Sequence, residues 1–181
     1  MTILKPNPIA LFILILSTTL VVTQSKNVQP NNSNSIIEET CYKTPNYGLC
    51  VNLLKPYPGS SEATVNGLAI IMFRIMRDKA DETKYIIRNL LAQRLVSQKA
   101  ALIECDNLYS SIYNDGSIGM GDLLRDSNYK DAEFRANDVQ NKANTCENRF
   151  YHALGKPPLS DSNNFIIETG KITAAIVPLI E

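Results

Sequence analysis

The chain has 181 residues, four cysteines and one histidine, with 18 basic and 18 acidic side chains. This balanced charge gives no reason to expect binding to nucleic acid or to a membrane surface, since both attract a basic excess. A single histidine excludes a histidine-based metal site and a pair of catalytic histidines, so neither a metal nor a cofactor is expected.

Residues 1–25 have the layout of a secretory signal peptide. A mostly apolar run at residues 9–22 follows a start that carries one charge, and small residues come next, with Thr23 and Ser25 before the expected cut. The alternative is a membrane-spanning helix, which needs about 20 apolar residues and is longer than this run. We therefore expect an exported protein.

Residues 26–35 are polar, rich in asparagine and aperiodic, and we interpret them as a flexible leader. Asn31 begins a glycosylation sequon with Asn32 and Ser33. An exported, flexible segment is a place where such a sequon can be used, so Asn31 is the predicted glycosylation site. The folded domain is then expected to occupy residues 36–181.

A helical hairpin is predicted around Cys41 and Cys50. Pro45 disfavours a helix at the residue before it, so a helix that enters from about residue 36 should end here. Gly48 is expected to supply the positive φ that reverses the chain. Apolar residues after the turn indicate a second short helix, with the two cysteines at the neck of the hairpin.

Four longer helices follow a loop rich in proline and glycine at residues 55–61. Each is predicted from apolar residues spaced three and four apart. An Asp-Gly turn is expected to end the second helix, which makes residues 116–127 a loop. Ser160 is the expected cap of the last helix, and no alternating pattern indicates a strand. The predicted ranges are residues 65–91, 95–113, 132–153 and 160–179.

Export predicts that the four cysteines form two disulfides, and the sequence alone allows three pairings. Cys105 and Cys146 each lie on the apolar stripe of a helix, and antiparallel packing of those helices would bring them together. Proximity therefore favours Cys41–Cys50 and Cys105–Cys146. The predicted fold is all-α, an up-down-up-down four-helix bundle with an N-terminal helical hairpin extension and two disulfides.

No arrangement of residues indicates catalysis. His152 is interpreted as a solvated or partly packed helix residue, because a catalytic base needs a partner that orients it. Adjacent carboxylates such as Glu38 and Glu39 point apart on a helix, so they do not form an acid/base pair. We therefore expect a binding protein and no enzyme.

Several short segments, in this order, carry a resemblance to a known family. They are Glu39-Thr40-Cys41, Thr44-Pro45-Asn46-Tyr47, Leu49-Cys50, Ala101-Leu102 with Cys105 and Tyr109, Tyr129-Lys130-Asp131-Ala132, and Thr145-Cys146-Glu147 with Phe150. With them, residues 36–181 resemble the plant invertase/pectin methylesterase inhibitor family. The resemblance implies a four-helix bundle with the same two disulfides. It also implies an inhibitor of a secreted plant carbohydrate enzyme, located in the apoplast or cell wall or in the vacuole.

The resemblance also implies a target-binding segment. One branch of the family blocks acid invertase (β-fructofuranosidase) and the other blocks pectin methylesterase (pectinesterase); the hairpin is more similar to the first. In that branch a Pro-Lys-Phe motif enters the invertase active site, and the corresponding residues are Tyr129, Lys130 and Asp131. Of these three residues only Lys130 matches the motif. Its side chain is a cation that suits the two carboxylates of a glycosidase active site. The alternatives are an inhibitor of pectin methylesterase and a small-ligand carrier, which would need a cavity in the bundle.

Overall fold

The computed structural model describes residues 32–93, 98–126, 128–151 and 157–180, which are helical and contain no strand. None of the described helices is long and apolar enough to cross a membrane. The predicted signal peptide, the glycosylation site Asn31 and His152 lie outside the described residues. The α-helices are α1 Asn32–Tyr42, α2 Tyr47–Leu54, α3 Val65–Ala92, α4 Lys99–Gly121, α5 Tyr129–Asn148 and α6 Ser160–Ile176. Shorter turns are Ser60–Glu62 and Val177–Leu179 (3₁₀) and Asp122–Asp126 (π).

Helices α3 to α6 form a four-helix bundle in which consecutive helices run antiparallel. Between α3 and α4, Gly116 lies against Arg77 and Gly119 against Phe73, so residue numbers rise along one helix and fall along the other. Pairs with the same reversal are Cys105–Cys146 and Asp122–Arg135 for α4 and α5, Glu147–Ser160 and Gln140–Gly170 for α5 and α6, and Met76–Thr173 and Lys79–Phe165 for α3 and α6. The predicted bundle is confirmed.

The core stripe of α5 consists mainly of small residues. Each of its members is fully buried, as the period of three and four predicts; they are Ala132, Ala136, Val139, Ala143 and Cys146. Small side chains let α6 come close at Gly170. A Cβ added there would lie 2.9 Å from the Ala136 carbonyl oxygen and 3.2 Å from Val139 Cγ2. Around Gly170 no space for a ligand remains between α5 and α6. This close packing argues against the alternative that the protein is a small-ligand carrier.

The substitution Gly170→Ala is expected to lower the free energy of unfolding by about 1–2 kcal/mol. Overpacking costs roughly 1–3 kcal/mol and exceeds the gain of about 1 kcal/mol in helix propensity. Gly48→Ala is the matched control, because Gly48 also lies in a helix but its Cβ would meet nothing within 4 Å. It should stabilise the chain slightly. Urea unfolding followed by circular dichroism measures both, and equal stability of the two variants would contradict the close packing.

Helix α4 does not end at the Asp-Gly pair, and the predicted loop at residues 116–127 is wrong. Asp115 is buried and binds Lys142 and Arg135 of α5, and Arg135 also donates to Asp122 at 2.8 Å. Burial alone would lower the pKa of Lys142, but its hydrogen bonds to Asp115 and Asp138 raise the pKa overall, so Lys142 stays charged. These contacts with α5 outweigh the local turn preference of Asp-Gly.

The glycines of this segment serve helix packing and not loop flexibility. A Cβ on Gly116 would lie 3.1 Å from the carbonyl oxygen of Phe73 and 2.9 Å from Arg77 Cβ. A Cβ on Gly119 would lie 2.5 Å from the Phe73 ring. The missing side chains therefore let α3 and α4 approach each other closely.

The turn of the hairpin uses side chains and not a positive φ at Gly48. Gly48 belongs to α2, and among the described glycines Gly59 has the positive φ, at 82°. Thr44 Oγ1 donates to the Cys41 carbonyl at 2.7 Å, which closes α1. Asn46 caps α2, since its Oδ1 accepts the backbone N–H of Leu49 at 3.2 Å. The local conformation that glycine was expected to provide is provided by these two polar residues.

Helix α1 begins earlier than expected, at Asn32, and includes residues assigned to the leader. The apolar pattern could not show this start, because residues 32–35 are all polar in the sequence. Asparagine and serine, which open α1, are common at helix N-termini.

A buried chain of hydrogen bonds joins α4, α5 and α6. Tyr109 donates to Asn163 Oδ1 at 2.7 Å, and Asn163 donates to Glu147 Oε2 at 2.6 Å. Ser160 donates to the other oxygen of Glu147 at 2.5 Å, so it does not cap α6 as predicted. Both Tyr109 and Glu147 belong to the segments that carry the family resemblance. In this structure their contacts hold helices together.

Candidate functional site

The hairpin presents an exposed pair of tyrosines on a rigid support. Tyr42 is 83% exposed and Tyr47 is 47% exposed, and both line a shallow cleft on the hairpin with Glu38, Glu39 and Lys43. The Cys41–Cys50 disulfide beneath them is present as predicted and is fully buried. Exposed aromatic rings on a cross-linked element suit contact with another protein.

One polar contact links the hairpin to α6. Asn46 Nδ2 donates to Glu168 Oε2 at 3.2 Å, while the other amide atom of Asn46 caps α2. Glu168 also accepts a hydrogen bond from Lys171 at 2.7 Å. The buried side chains of Ile37 and Leu54 anchor the hairpin in the core. The Asn46–Glu168 contact therefore adds a charged hydrogen bond to an apolar attachment.

The hydrogen bonds of Glu168 are expected to make the stability of the folded chain fall at acid pH. Hydrogen bonds from Lys171 and Asn46 lower the pKa of Glu168 below its usual 4.5. The stability that Glu168 contributes is then present above about pH 4.5 and is lost as the pH falls through its folded pKa. Melting temperatures of the wild type and of Glu168→Gln should therefore differ near pH 6 and converge toward about pH 3.

Glu39→Gln is the control for that comparison, because Glu39 pairs with Lys43, at 3.4 Å on the exposed face of the hairpin, and has no other ion pair within the described residues. Its melting temperature should stay close to that of the wild type throughout. If the melting temperatures of the wild type and of Glu168→Gln differed by the same amount at every pH, the pH dependence could not be assigned to Glu168.

The predicted target-binding segment opens α5, and its residues have different roles. Asn128 caps the helix: its Oδ1 accepts the N–H of Asp131 at 3.4 Å, and its Nδ2 donates to Asp131 Oδ2 at 2.6 Å. Tyr129 is partly buried against the core. Lys130 is exposed and forms no ion pair within the described residues. The segment therefore offers a free cation, while the carboxylate of Asp131 is held by the cap.

An exposed aromatic residue lies on the same face as Lys130 and was missed from the sequence. Phe134 is 67% exposed and comes four residues after Lys130, a spacing that places two side chains next to each other on a helix. Its signal in the sequence is that it lies off the apolar stripe of Ala132 and Ala136. We call Lys130 and Phe134 the Lys–Phe surface.

The Lys–Phe surface combines a cation with an exposed ring near the start of α5, the helix end that Asn128 caps. Such a pair can bind a carboxylate and pack against an apolar or sugar-binding wall of a partner. Within the described residues, no group of three histidine, cysteine or carboxylate side chains is placed to hold a metal.

Comparisons with known proteins agree with this architecture. The family model described as "Plant invertase/pectin methylesterase inhibitor" matches residues 35–176. The chain is 31% identical over 145 residues to "Cell wall / vacuolar inhibitor of fructosidase 1" of Arabidopsis thaliana, covering 80% of this chain and 69% of that protein. It is 32% identical over 146 residues to "Cell wall / vacuolar inhibitor of fructosidase 2" of the same plant, covering 79% and 81%.

A relative of the other branch also matches. The "Pectinesterase inhibitor" of Actinidia deliciosa is 27% identical over 144 residues, covering 78% of this chain and 77% of that protein. Among solved structures, a mutant form of a pectin methylesterase inhibitor from Arabidopsis superposes with a TM-score of 0.69 at 16% identity, covering 83% of this chain and 98% of that one. At that identity the superposition shows the shared fold.

Proposed function

This chain belongs to the plant invertase/pectin methylesterase inhibitor family, and we propose that it is a secreted inhibitor that binds and blocks a plant acid invertase. The family consists of inhibitors of enzymes. Relatives of both branches match the chain, so the choice of target depends on the surface of α5 and on the experiment below.

The observation that carries the proposal is the state of the segment at the start of α5. Glycosidases act with a pair of carboxylates, and an acidic residue at the tip of an inhibitor would be repelled by them. Asp131 occupies the position where the invertase branch has an apolar residue, but its carboxylate accepts a hydrogen bond from the Asn128 amide at 2.6 Å and lies in the first turn of α5, where the positive end of the helix dipole partly offsets its charge. Lys130 remains as the exposed cation, and Phe134 supplies an apolar contact on the same face.

The proposal also includes the compartment in which the protein acts. Residues 1–25 fit a signal peptide, and two relatives are named as cell wall or vacuolar inhibitors. We place the protein in the apoplast or cell wall, with the vacuole as the alternative. A fluorescent fusion at the C-terminus, followed before and after plasmolysis of plant cells, distinguishes these compartments.

The proposal is tested by titrating the protein, purified as secreted, into cell-wall and vacuolar invertases at acidic pH. Hydrolysis of sucrose should fall in proportion to added inhibitor until one equivalent is reached. A parallel titration into pectin methylesterase, followed by methanol release, should show no inhibition. Unchanged sucrose hydrolysis at micromolar excess would end the invertase proposal, and blocked methanol release would support the pectin methylesterase alternative.

A further inference from the structure

A basic cleft of about 400 Å³ lies between α3 and the C-terminal end of α4. Arg74 and Arg77 line its α3 side, and Arg125 of the π turn lines the other. Met120 and Leu124 contribute apolar surface between them. The volume falls in the range of roughly 300–1,000 Å³ that is typical of small-ligand sites.

Two of the three arginines carry charge that no neighbour balances. Arg77 donates to Asp78 through Nε at 3.0 Å and through Nη2 at 2.7 Å, so its charge is compensated. Arg74 and Arg125 are exposed, and neither forms an ion pair within the part of the chain that the structure describes. The cleft therefore presents two free guanidinium groups from opposite walls, which favours an anionic occupant.

Gly121 leaves room for one of these groups. A Cβ on Gly121 would lie 2.6 Å from Arg125 Nη2, so the guanidinium rests directly against the helix where a side chain is missing. Because Arg125 is exposed and its side chain is flexible, a larger residue would shift the guanidinium to another position.

We propose that this cleft binds a polyuronate, a polymer of sugar acids, through carboxylates on successive residues. Guanidinium groups bind carboxylates in a planar, two-bond geometry. Two cations on opposite walls suit charges spread along a chain, and the exposed side chain of Leu124 can pack against the C–H face of a sugar ring.

The experiment is isothermal titration calorimetry at low salt. The protein is purified from the secreted fraction and titrated with trigalacturonate. One molecule should bind, and binding should weaken as salt is raised. The methyl ester of trigalacturonate, inorganic phosphate and a hexaglutamate peptide should each bind at least about tenfold more weakly, since they lack either the carboxylates or the sugar face.

Two variants and a control locate the binding. Arg74→Gln combined with Arg125→Gln should weaken trigalacturonate binding at least about tenfold. Gly121→Ala displaces the Arg125 guanidinium without changing the net charge and should weaken binding by less than the double variant does. Arg88→Gln combined with Lys99→Gln removes the same charge from exposed positions outside the cleft and should have little effect.

The outcomes divide clearly. Absence of trigalacturonate binding at millimolar concentration, or equal losses in the cleft and control variants, would overturn the site. Equal or tighter binding of hexaglutamate or phosphate would overturn the assignment to a polyuronate. The proposal does not rest on the target enzyme, because the titration contains none.

Discussion

Lys130→Glu is expected to abolish inhibition of acid invertase, raising the apparent inhibition constant at least about 100-fold. The substitution places an anion before the carboxylates of the enzyme, and losing a close charge contact at an interface costs roughly 2–5 kcal/mol. Lys130 forms no ion pair within the described residues, so the melting temperature should not change. A titration of sucrose hydrolysis with each variant measures the effect.

Two further variants make that result specific. Phe134→Ala should weaken inhibition about tenfold, because an exposed ring beside a charged contact is a frequent source of binding energy. Lys99→Glu makes the same charge reversal at the exposed start of α4 and should remain a full inhibitor. If Lys130→Glu inhibits as well as Lys99→Glu does, the Lys–Phe surface is not the one that contacts the enzyme.

Removing the Cys105–Cys146 disulfide, by alanine at both positions, is expected to lower the free energy of unfolding by about 4 kcal/mol. The bond joins α4 to α5 across a separation of 41 residues and is fully buried. The melting temperature should fall by roughly 10 °C for a chain of this size. Helix α5 also carries Lys130, so loosening it should weaken inhibition as well.

The Cys41–Cys50 bond is the internal comparison, because it spans only 9 residues. Alanine at both of its positions should cost about 3 kcal/mol on the same entropy argument. Urea unfolding gives the two free energies. Undiminished inhibition by the Cys105→Ala/Cys146→Ala variant, despite a clear drop in melting temperature, would show that this bond serves stability alone.

The bundle could be predicted because its signals are local and repeated. The stripe from Ala132 to Cys146 and the apolar face of α3 recur every three or four residues, so each helix is indicated many times over. The disulfide pairing then needed only the order of the helices. Neither conclusion depended on any single side-chain contact.

The features that could not be predicted depend on contacts between residues far apart in sequence. Asp115 looks like a turn residue until Lys142 and Arg135 are placed beside it, and Gly116 looks flexible until Phe73 is packed against it. Turn preferences are worth little against such packing. Ser160 likewise looks like a helix cap until Glu147 is placed beside it.

The candidate site shows the same limit. Lys130 could be found from its place relative to Cys146, since spacing along a helix is preserved. The role of Asp131 could not, because correspondence to a motif gives positions and not hydrogen bonds. Phe134 required knowing which face of α5 is buried, and an apolar residue off that face then becomes conspicuous.

Tyr109 gives the folded chain an optical reporter of its own. The chain contains eight tyrosines and no tryptophan, and Tyr109 is completely buried at the junction of α4, α5 and α6. Burial raises the pKa of its phenol above the usual 10.0; the neighbouring Thr83 hydroxyl opposes this, and the charge of Glu147 adds to it. The raised pKa favours the protonated phenol in the folded state, so this contribution to stability is lost as the pH rises above about 10. The phenolate absorbance of Tyr109 should therefore appear only when the three helices separate.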